Sequence, residues 1–500
     1  MKRLLTFVTV DRVFALSTLI GVLLVIGCAS SSNKKTSSTF AVGGTVSRLK
    51  GTGLILQDNG GNNLPVTANG SFTFSTALAT GAAYSVTVST QPSTPSQNCI
   101  VTNGNGTVAS ATISNVVVTC LNTTTAVIVT DSNNNRVLVY DAPVSTGQSA
   151  NVVLGQLNFT TATTGTTAST MNQPVSTAED SAGNLYVADG LNCRVIQFQP
   201  PFTNGMNASV VLGQPNLSTG NCPVGISAST LGNNTTANGD QVDSVAIDSS
   251  GDLWVADSAS SRVLEYQPPF SNGMAATLAI GQADLTSGNP NQVLGGGAPP
   301  TSSSLFDPGL FTFDSSGNLW IPDLNNNRLL EFKPPFTTGM AASLVLGQAD
   351  FTQNSGNQGG AVAANTLSFP VGAAFDSSGN LWVADALNNR VLEFEPPFST
   401  NMAASLVLGQ ANLTDNLPNQ NLLAPTSATL SLPFQVMFDS NGQLYVPDFG
   451  NNRTLVFAPP FSTGMNATLV IGQGNFVTAT QATTAAGQTG PRGVTAGPPL

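Results

Sequence analysis

The chain has 500 residues with a formal net charge of −11, and only 8% of them are charged. This length predicts two or more domains or one large repeat fold, and a polar fraction rich in Gly, Ser, Thr and Asn is typical of secreted all-β proteins with many turns. The sequence contains no histidine, so the side chain that most often serves as general base or metal ligand near neutral pH is missing.

Residues 1–27 have the pattern of a secretory signal peptide. A basic start is followed by the apolar run Val13 to Ile26, which as a helix would span roughly 21 Å, short of a ~30 Å bilayer core. A plain transmembrane anchor is therefore the weaker interpretation. The run ends in Val-Ile-Gly-Cys28, which resembles the lipobox of bacterial lipoproteins, in which the cysteine is lipidated and becomes the first residue. The alternative is an incidental cysteine in a hydrophobic stretch.

A polar linker, residues 28–38, follows the proposed cleavage site. Ala29, rather than Asp, comes after the cysteine. By resemblance to known lipoproteins, this implies sorting to the outer membrane, with the periplasmic and the surface orientation both left open.

Residues 39–121 form a separate unit with no counterpart downstream. Short β-type runs such as GSFTFSTAL and AAYSVTVST alternate with the turn-forming segments DNGGNN, ANG and NGNG. The unit resembles the immunoglobulin-like β-sandwiches that act as spacers in bacterial surface proteins, which implies that it separates the next domain from the membrane. Cys99 and Cys120 bracket its last two strands, and an oxidising compartment predicts a disulfide between them.

One phrase recurs six times from residue 124 onward: an Asp followed five positions later by an Arg. Successive aspartates are 58 to 68 residues apart, which is the signature of a repeat architecture. In residues 371–410, for example, a strand ends in an acidic turn, a second strand leads to the Asp, a third starts at the Arg, and a fourth ends in Gly-Gln. The six pairs are Asp131/Arg136, Asp189/Arg194, Asp257/Arg262, Asp323/Arg328, Asp385/Arg390 and Asp448/Arg453.

Four short strands per unit, joined as a meander, predict one blade of a β-propeller. The predicted fold class is therefore all-β: a six-bladed propeller over residues 122–500, preceded by the small β-sandwich. The first unit lacks an inner strand, whereas the C-terminal segment TGPRGVTAGPPL has the inner-strand pattern. Pairing of these two ends predicts a composite blade that closes the ring and removes an exposed sheet edge.

These units resemble NHL repeats, whose signature is a small residue, an Asp and an Asn-Arg step flanked by β-branched residues. The resemblance implies the fold and says little about activity, because this fold hosts unrelated functions. Six equivalent Asp–Arg pairs are not one catalytic constellation, so we interpret them as structural hydrogen bonds across each hairpin. Aromatic residues in the strand before the Asp are predicted to pack between blades: Tyr186, Trp254, Trp320, Trp382 and Tyr445.

The binding surface is predicted on the face that carries the Asp–Arg hairpins. Segments of 17 to 27 residues connect each Gly-Gln to the next inner strand, and such loops are uncommon unless they are functional or disordered. They contain no Lys, Arg, His, Trp or Tyr, which disfavours carbohydrate. Beyond the repeat arginines only Lys333 and Arg492 are basic after residue 124, which disfavours nucleic acid. The segments are 157–173, 215–241, 283–307, 349–369, 411–432 and 474–490.

Two functions of different classes remain. The first is a non-catalytic, lipid-anchored propeller of the cell envelope that binds a protein or peptide or acts as a scaffold, with no catalytic residue, metal or cofactor. The second is a calcium-dependent hydrolase or lyase, similar to propeller lactonases, with acidic and amide ligands on the axis. Related propeller lyases use histidines, which this chain lacks, and no unit has a singular carboxylate cluster, so the sequence favours the first function.

The two remaining cysteines are predicted to form a second disulfide. Cys193 directly precedes Arg194 in its hairpin, and Cys222 lies in the longest connecting segment, 215–241. Both elements should emerge on the hairpin face, and an oxidising compartment disfavours free thiols. The alternative is two unpaired cysteines.

Overall fold

The computed structural model describes residues 38–93, 97–122, 126–233, 241–293 and 298–497, without the side chains of residues 121 and 122. The predicted signal peptide and the lipidation site Cys28 lie outside the described residues. Within them the fold is all-β, consisting of strands and short 3-10 turns. No helix in this part of the chain has the length and apolar character needed to cross a membrane.

The N-terminal unit contains two four-stranded sheets that share one apolar core. Val42–Ser47 pairs in parallel with Ile113–Asn122, a strand that extends one residue past the predicted end of the unit at 121. Alternate residues such as Leu54 and Leu56 are buried in the shared core, as expected for sheets that pack through one face. The strands of this unit are Thr39–Phe40, Val42–Ser47, Leu54–Asp58, Gly61–Val66, Gly70–Thr73, Leu78–Ala79, Ala83–Thr90, Gln97–Thr102, Asn105–Thr107 and Ile113–Asn122.

Six four-stranded antiparallel sheets lie between residues 126 and 497. Five of them are formed by consecutive strands. The remaining sheet, which we call sheet one, combines the two ends of this region, because Pro491–Gly497 pairs with Ala126–Asp131. This is the pairing that the sequence predicted for the composite blade. We number the sheets in the order of their Asp–Arg pairs. Their inner strands, from sheet one to sheet six, are Pro491–Gly497, Pro174–Glu179, Ser244–Ile247, Thr312–Phe313, Pro370–Phe375 and Met437–Phe438.

The other strands follow the predicted order within each sheet. The second strands are Ala126–Asp131, Leu185–Asp189, Leu253–Asp257, Leu319–Asp323, Leu381–Asp385 and Leu444–Asp448. The third strands are Arg136–Tyr140, Arg194–Phe198, Arg262–Tyr266, Arg328–Phe332, Arg390–Phe394 and Arg453–Phe457. The outer strands are Val152–Leu154, Val210–Leu212, Leu278–Ile280, Leu344–Leu346, Leu406–Leu408 and Leu469–Ile471.

The inner strands surround a central axis. Residues from the inner-strand segment of every one of the six sheets line a single cavity of about 500 Å³. Neighbouring sheets also form hydrogen bonds through these segments: Leu310 N donates to Val371 O at 2.8 Å, and Gln435 N donates to Arg492 O at 3.2 Å. Four-stranded meanders arranged radially in this way make a β-propeller.

The core lies between neighbouring sheets rather than within any one of them. Trp254 of sheet three is buried among Leu319, Leu330 and Phe332 of sheet four, and its ring meets Phe336 edge-on at a centroid distance of 5.0 Å. The predicted packing of aromatic residues between sheets is thus confirmed for this position, and the other four predicted aromatic residues are buried as well. Since one sheet cannot bury both of its faces, each depends on its neighbours for stability.

Candidate functional site

Each Asp–Arg pair spans a tight hairpin, and the six hairpins define one face of the propeller, which we call the hairpin face. The Asp and the Arg are directly opposite in the strand register, as for Asp385 and Arg390. The residue before the Arg has left-handed backbone, for example Asn389 with φ 52°, a conformation that Asn tolerates better than most residues. The intervening 3-10 turns are Ser132–Asn134, Gly190–Asn192, Ser258–Ser260, Leu324–Asn326, Ala386–Asn388 and Phe449–Asn451.

The structure brings all six pairs together as fully buried ion pairs. In every pair Arg Nε donates to Asp Oδ2 at 2.7 or 2.8 Å. In sheet five, Asp385 Oδ1 also accepts the backbone N–H of Ser368, and Oδ2 accepts the amide of Asn388. Burial raises the pKa of Asp385, while the Arg390 charge and these donors oppose that rise. Each carboxylate is therefore compensated by a fixed set of donors.

Each arginine also binds the two long loops beside its hairpin. Arg390 Nη1 donates to Leu413 O in the loop after sheet five, and Nη2 donates to Ala363 O and Thr366 O in the loop before it. The equivalent contacts of Arg453 are to Phe476, Thr426 and Thr429. Backbone carbonyls at a partly buried surface need such donors. The length of these loops thus has a structural reason, because the loops must reach the arginines whose guanidinium groups donate hydrogen bonds to their carbonyls.

A second cavity, of about 240 Å³, lies on the axis near the hairpin face, and we call it the axial mouth. Each sheet contributes the residue at one equivalent position to the lining of this cavity. It is the residue that follows the proline at the start of the inner-strand segment or, in sheet three, the residue that follows Val242. Phe434 and Arg492 are partly exposed, so the cavity is reached from solvent. From sheet one to sheet six, the residues at this position are Arg492, Val175, Asp243, Gly309, Val371 and Phe434.

Two carboxyl groups meet at the axial mouth. Asp243 is only 8% exposed, and within the described residues its Oδ1 has no hydrogen-bond partner. Burial raises the pKa of Asp243 well above its usual range, the Asp307 charge raises it further, and the Ser258 hydroxyl opposes the rise. Burial and the Asp323 charge raise the pKa of Asp307 to about 7, against the effect of the Asn325 amide. Such a pair titrates as a unit rather than as two independent acids.

Arg492 supplies a positive charge on another wall of the mouth. Its guanidinium carbon lies 5.2 Å from the ring centroid of Phe434 and 5.4 Å from that of Phe449. Burial lowers the pKa of Arg492 to about 10, so the group stays protonated at neutral pH. The inner strand of sheet one contacts strands of sheets two and six. Asp307 ends the loop that leads into sheet four, so Arg492 lies across the mouth from it. The aromatic contacts fix the position of its charge.

Sequence reasoning misses Asp243, Asp307 and Arg492 as site residues. The available signal is a break in the repeat. Asp243 and Arg492 occur where the other units have Val, Gly or Phe, and Asp307 occurs where the other units have Gln, Phe, Leu or Gly. The axial mouth also differs from the predicted binding surface, which rests on the loops alone. The structure therefore adds a charged cavity at the centre of the hairpin face.

Both predicted cysteine pairs lie at disulfide distance. Cys99 and Cys120 are directly opposite in neighbouring strands, with Cα atoms 3.8 Å apart. Cys193 and Cys222 have Cα atoms 5.2 Å apart and connect the hairpin of sheet two to the loop 215–241. This loop leads to Asp243, which directly precedes the inner strand of sheet three.

A separate cluster of three acidic side chains lies on the face opposite the hairpin face. Among the described residues, Asp248, Asp252 and Glu265 are the one set of three whose ligand atoms all lie within 4.8 Å of one another. They line a groove between sheets three and four, away from the axis where the enzymatic alternative places calcium. On the axis, the carboxyl groups brought together are those of Asp243 and Asp307.

Comparisons with known proteins identify the repeat. The NHL repeat family matches residues 367–394, which contain the inner, second and third strands of sheet five. No curated protein matches the sequence.

Solved structures with some similarity include three proteins. The first is a protein of unknown function from Bacteroides caccae, with 10% identity and a TM-score of 0.42 over 74% of this chain and 98% of that one. The second is a nidogen/laminin complex, with 14% identity and a TM-score of 0.41 over 74% and 97%. The third is virginiamycin B lyase from Staphylococcus aureus, with 13% identity and a TM-score of 0.30 over 57% and 81%.

Proposed function

We propose that this NHL-repeat β-propeller is a non-catalytic, lipid-anchored protein of the bacterial cell envelope that binds a protein or peptide partner on its hairpin face. In this proposal the six sheets are the six blades of one ring, closed by Pro491–Gly497. Residues 39–121 are an immunoglobulin-like spacer, and residues 1–27 are a signal peptide whose removal leaves Cys28 as the lipidated first residue, at the outer membrane.

The observation that carries this proposal is the construction of the hairpin face. The buried arginines fasten the connecting loops, so a partner would meet a surface that is already ordered, which lowers the entropic cost of binding. Four leucines nevertheless remain exposed around sheet five, where the amide of Asn389 ties the hairpin to Asn416 O at 2.9 Å. Exposed apolar side chains on a polar surface are a feature of protein contact sites. They are Leu387, Leu417, Leu422 and Leu423.

Affinity capture from native envelope extracts tests the partner role. The baits are the wild-type chain, a Leu422→Asp/Leu423→Asp double variant, and a Ser378→Asp control on the opposite face, where Ser378 is exposed. We expect the same protein or peptide to be recovered with the wild type and the control and to be lost with the double variant. Equal recovery with all three baits would contradict binding through these leucines.

Fractionation tests the anchor independently. The Cys28→Ala variant should leave precursor or soluble protein, because the thiol that receives the lipid is absent. A variant that fractionates with membranes as the wild type does would rule out lipidation at this position.

The enzymatic alternative, a calcium-dependent hydrolase or lyase, draws support from the meeting of Asp243 and Asp307 on the axis. Calcium prefers six to eight oxygen ligands, so such a site would need further carbonyl, amide or water ligands. Metal analysis of the purified protein separates the two functions. Stoichiometric calcium that is lost in Asp243→Asn would favour the enzyme over the non-catalytic binding protein.

A further inference from the structure

We propose that the axial mouth binds a small zwitterionic molecule of the amino acid class, with its ammonium group at Asp243 and its carboxylate at Arg492. This small-molecule site goes beyond the partner role proposed for the hairpin face and does not depend on it.

The first argument is the state of the Asp243 carboxyl group. It is more than nine-tenths buried and lines the mouth, yet Oδ1 has no hydrogen-bond donor among the described residues. A buried acceptor without a donor costs free energy, and such atoms are few in native proteins. A ligand ammonium group, with three N–H donors, would supply the missing hydrogen bond and would be attracted to Asp307 as well. Its positive charge would also oppose the rise in the pKa of Asp243 and so favour the carboxylate that binds it.

The second argument is the opposite charge across the mouth. The Arg492 guanidinium rests against Phe434 and Phe449, and these contacts restrict its position. A planar guanidinium at a fixed position binds a carboxylate through two parallel hydrogen bonds. Acid groups on one wall and a guanidinium on the other complement a molecule that carries both charges.

The third argument is size and the character of the remaining walls. A volume of about 240 Å³ corresponds to roughly eight water molecules at ~30 Å³ each, which suits a small molecule rather than a folded segment. Val175, Leu310 and Val371 are buried beside the charged groups and offer an apolar surface for the body of the ligand. Small-molecule sites commonly combine such walls with a few polar groups.

Simpler ligands fit this arrangement less well. A divalent cation would meet the positive charge of Arg492 and only two carboxyl groups, short of its usual oxygen ligands. A simple anion would meet the two carboxyl groups. Of these ligands, only the zwitterion is complementary in charge to both walls.

Isothermal titration calorimetry on the purified chain tests this site with free standard amino acids, starting with leucine and phenylalanine. N-acetyl-leucine, which lacks the ammonium group, and leucinamide, which lacks the carboxylate, are the matched probes. We expect at least one free amino acid to bind. Its N-acetyl derivative and its amide should each bind at least about tenfold more weakly. If no standard amino acid binds, or if the derivatives bind equally well, the proposal is overturned.

Variants assign the two ends of the ligand. Asp243→Asn and Arg492→Gln should each weaken binding about tenfold or more, whereas Asp415→Asn, an exposed residue of the loop 411–432, should leave it unchanged. Circular dichroism checks folding, and Arg492→Gln decides the outcome if Asp243→Asn does not fold. Wild-type affinity in the folded variants would overturn the assignment. Partner capture has a separate readout, so either proposal can fail while the other stands.

Discussion

The hairpins and the axial mouth both bury carboxyl groups, and they satisfy them differently. Asp385 accepts hydrogen bonds from Arg390, Asn388 and a backbone N–H, and the other five hairpins repeat the same ion pair. At the mouth, Asp243 has an oxygen without a donor among the described residues and a second carboxyl group nearby. This contrast indicates that the repeated ion pairs stabilise the ring, whereas the unrepeated Asp243 at the mouth keeps an acceptor that no described residue satisfies.

The largest effect is expected where a repeated pair is broken. Arg390→Met should lower the free energy of unfolding by about 3–5 kcal/mol, because it leaves Asp385 buried without its counter-ion. It also removes the donors of three loop carbonyls. Chemical denaturation of the purified variant measures the loss.

Lys333→Met is the matched control for this change. Lys333 is 58% exposed and its nitrogen lies 3.4 Å from Glu331, and surface pairs of this kind contribute ~0–1 kcal/mol. If Arg390→Met and Lys333→Met lost the same small amount, the hairpin pairs would have no special structural role.

A smaller effect is expected when the loop that leads to the mouth is released. Cys222→Ser removes the bridge to Cys193, which closes a loop with a sequence separation of 29. A loop of this length contributes on the order of 3 kcal/mol, mainly by restricting the unfolded chain. Denaturation of the variant measures this loss, and non-reducing peptide mapping of the wild type should find Cys193 joined to Cys222. Free thiols at both positions would contradict the prediction.

The contribution of the mouth to the pH dependence of stability can be measured through Asp307. The pKa of Asp307 is about 7 in the folded protein and ~3.9 in an unfolded chain, so the folded state binds this proton more tightly. Its contribution to stability is therefore full below about pH 4 and is lost as the pH rises through 7. Thermal unfolding between about pH 5 and 8 should show a smaller decline for Asp307→Asn than for the wild type. Identical declines would contradict the raised pKa.

The repeated parts of the fold could be predicted because the spacing of residues carries the information. The Asp and the Arg are five positions apart, so a hairpin brings them together wherever the strands form. The aromatic residues precede the Asp in the same strand, and alternation in a strand determines which face they occupy. The pairing of Pro491–Gly497 with Ala126–Asp131 could be predicted because the first unit lacks an inner strand and the C-terminal segment has the inner-strand pattern.

The axial mouth could not be predicted because its charged residues lie at or just before the inner strands of three different sheets, far apart in sequence. Arg492, Asp243 and Asp307 meet only after the ring has closed, and no local spacing relates them. The parallel pairing of Val42–Ser47 with Ile113–Asn122 is likewise a long-range contact without a repeat to reveal it. Departures from a repeat can be read from the sequence, but which departures share a cavity depends on the three-dimensional structure.

The smallest effect is expected at a departure from the repeat on the opposite face. In sheet five the amide of Asn380 donates to Asp376 Oδ2 at 3.0 Å, whereas sheet three has Asp252 at this position, beside Asp248 and Glu265. Burial and the Asp248 charge raise the pKa of Asp252, so Asp252→Asn should remove a repulsion and add a hydrogen bond. The expected gain is about 0.5–1 kcal/mol at neutral pH.

Asn380→Asp is the reciprocal variant and should lose stability, because it places a third carboxylate beside Asp376 and Glu393 in sheet five, as in sheet three. Thermal unfolding at neutral pH measures both changes. At acidic pH the two differences should shrink, since protonated carboxyl groups no longer repel one another. A wild-type chain more stable than Asp252→Asn at neutral pH would mean that the acidic group is compensated by something other than its protein neighbours. Repetition of the measurement with added calcium and with a chelator would then show whether that compensation is a cation. Without such compensation, the three acids of sheet three are a tolerated departure, unlike those at the mouth.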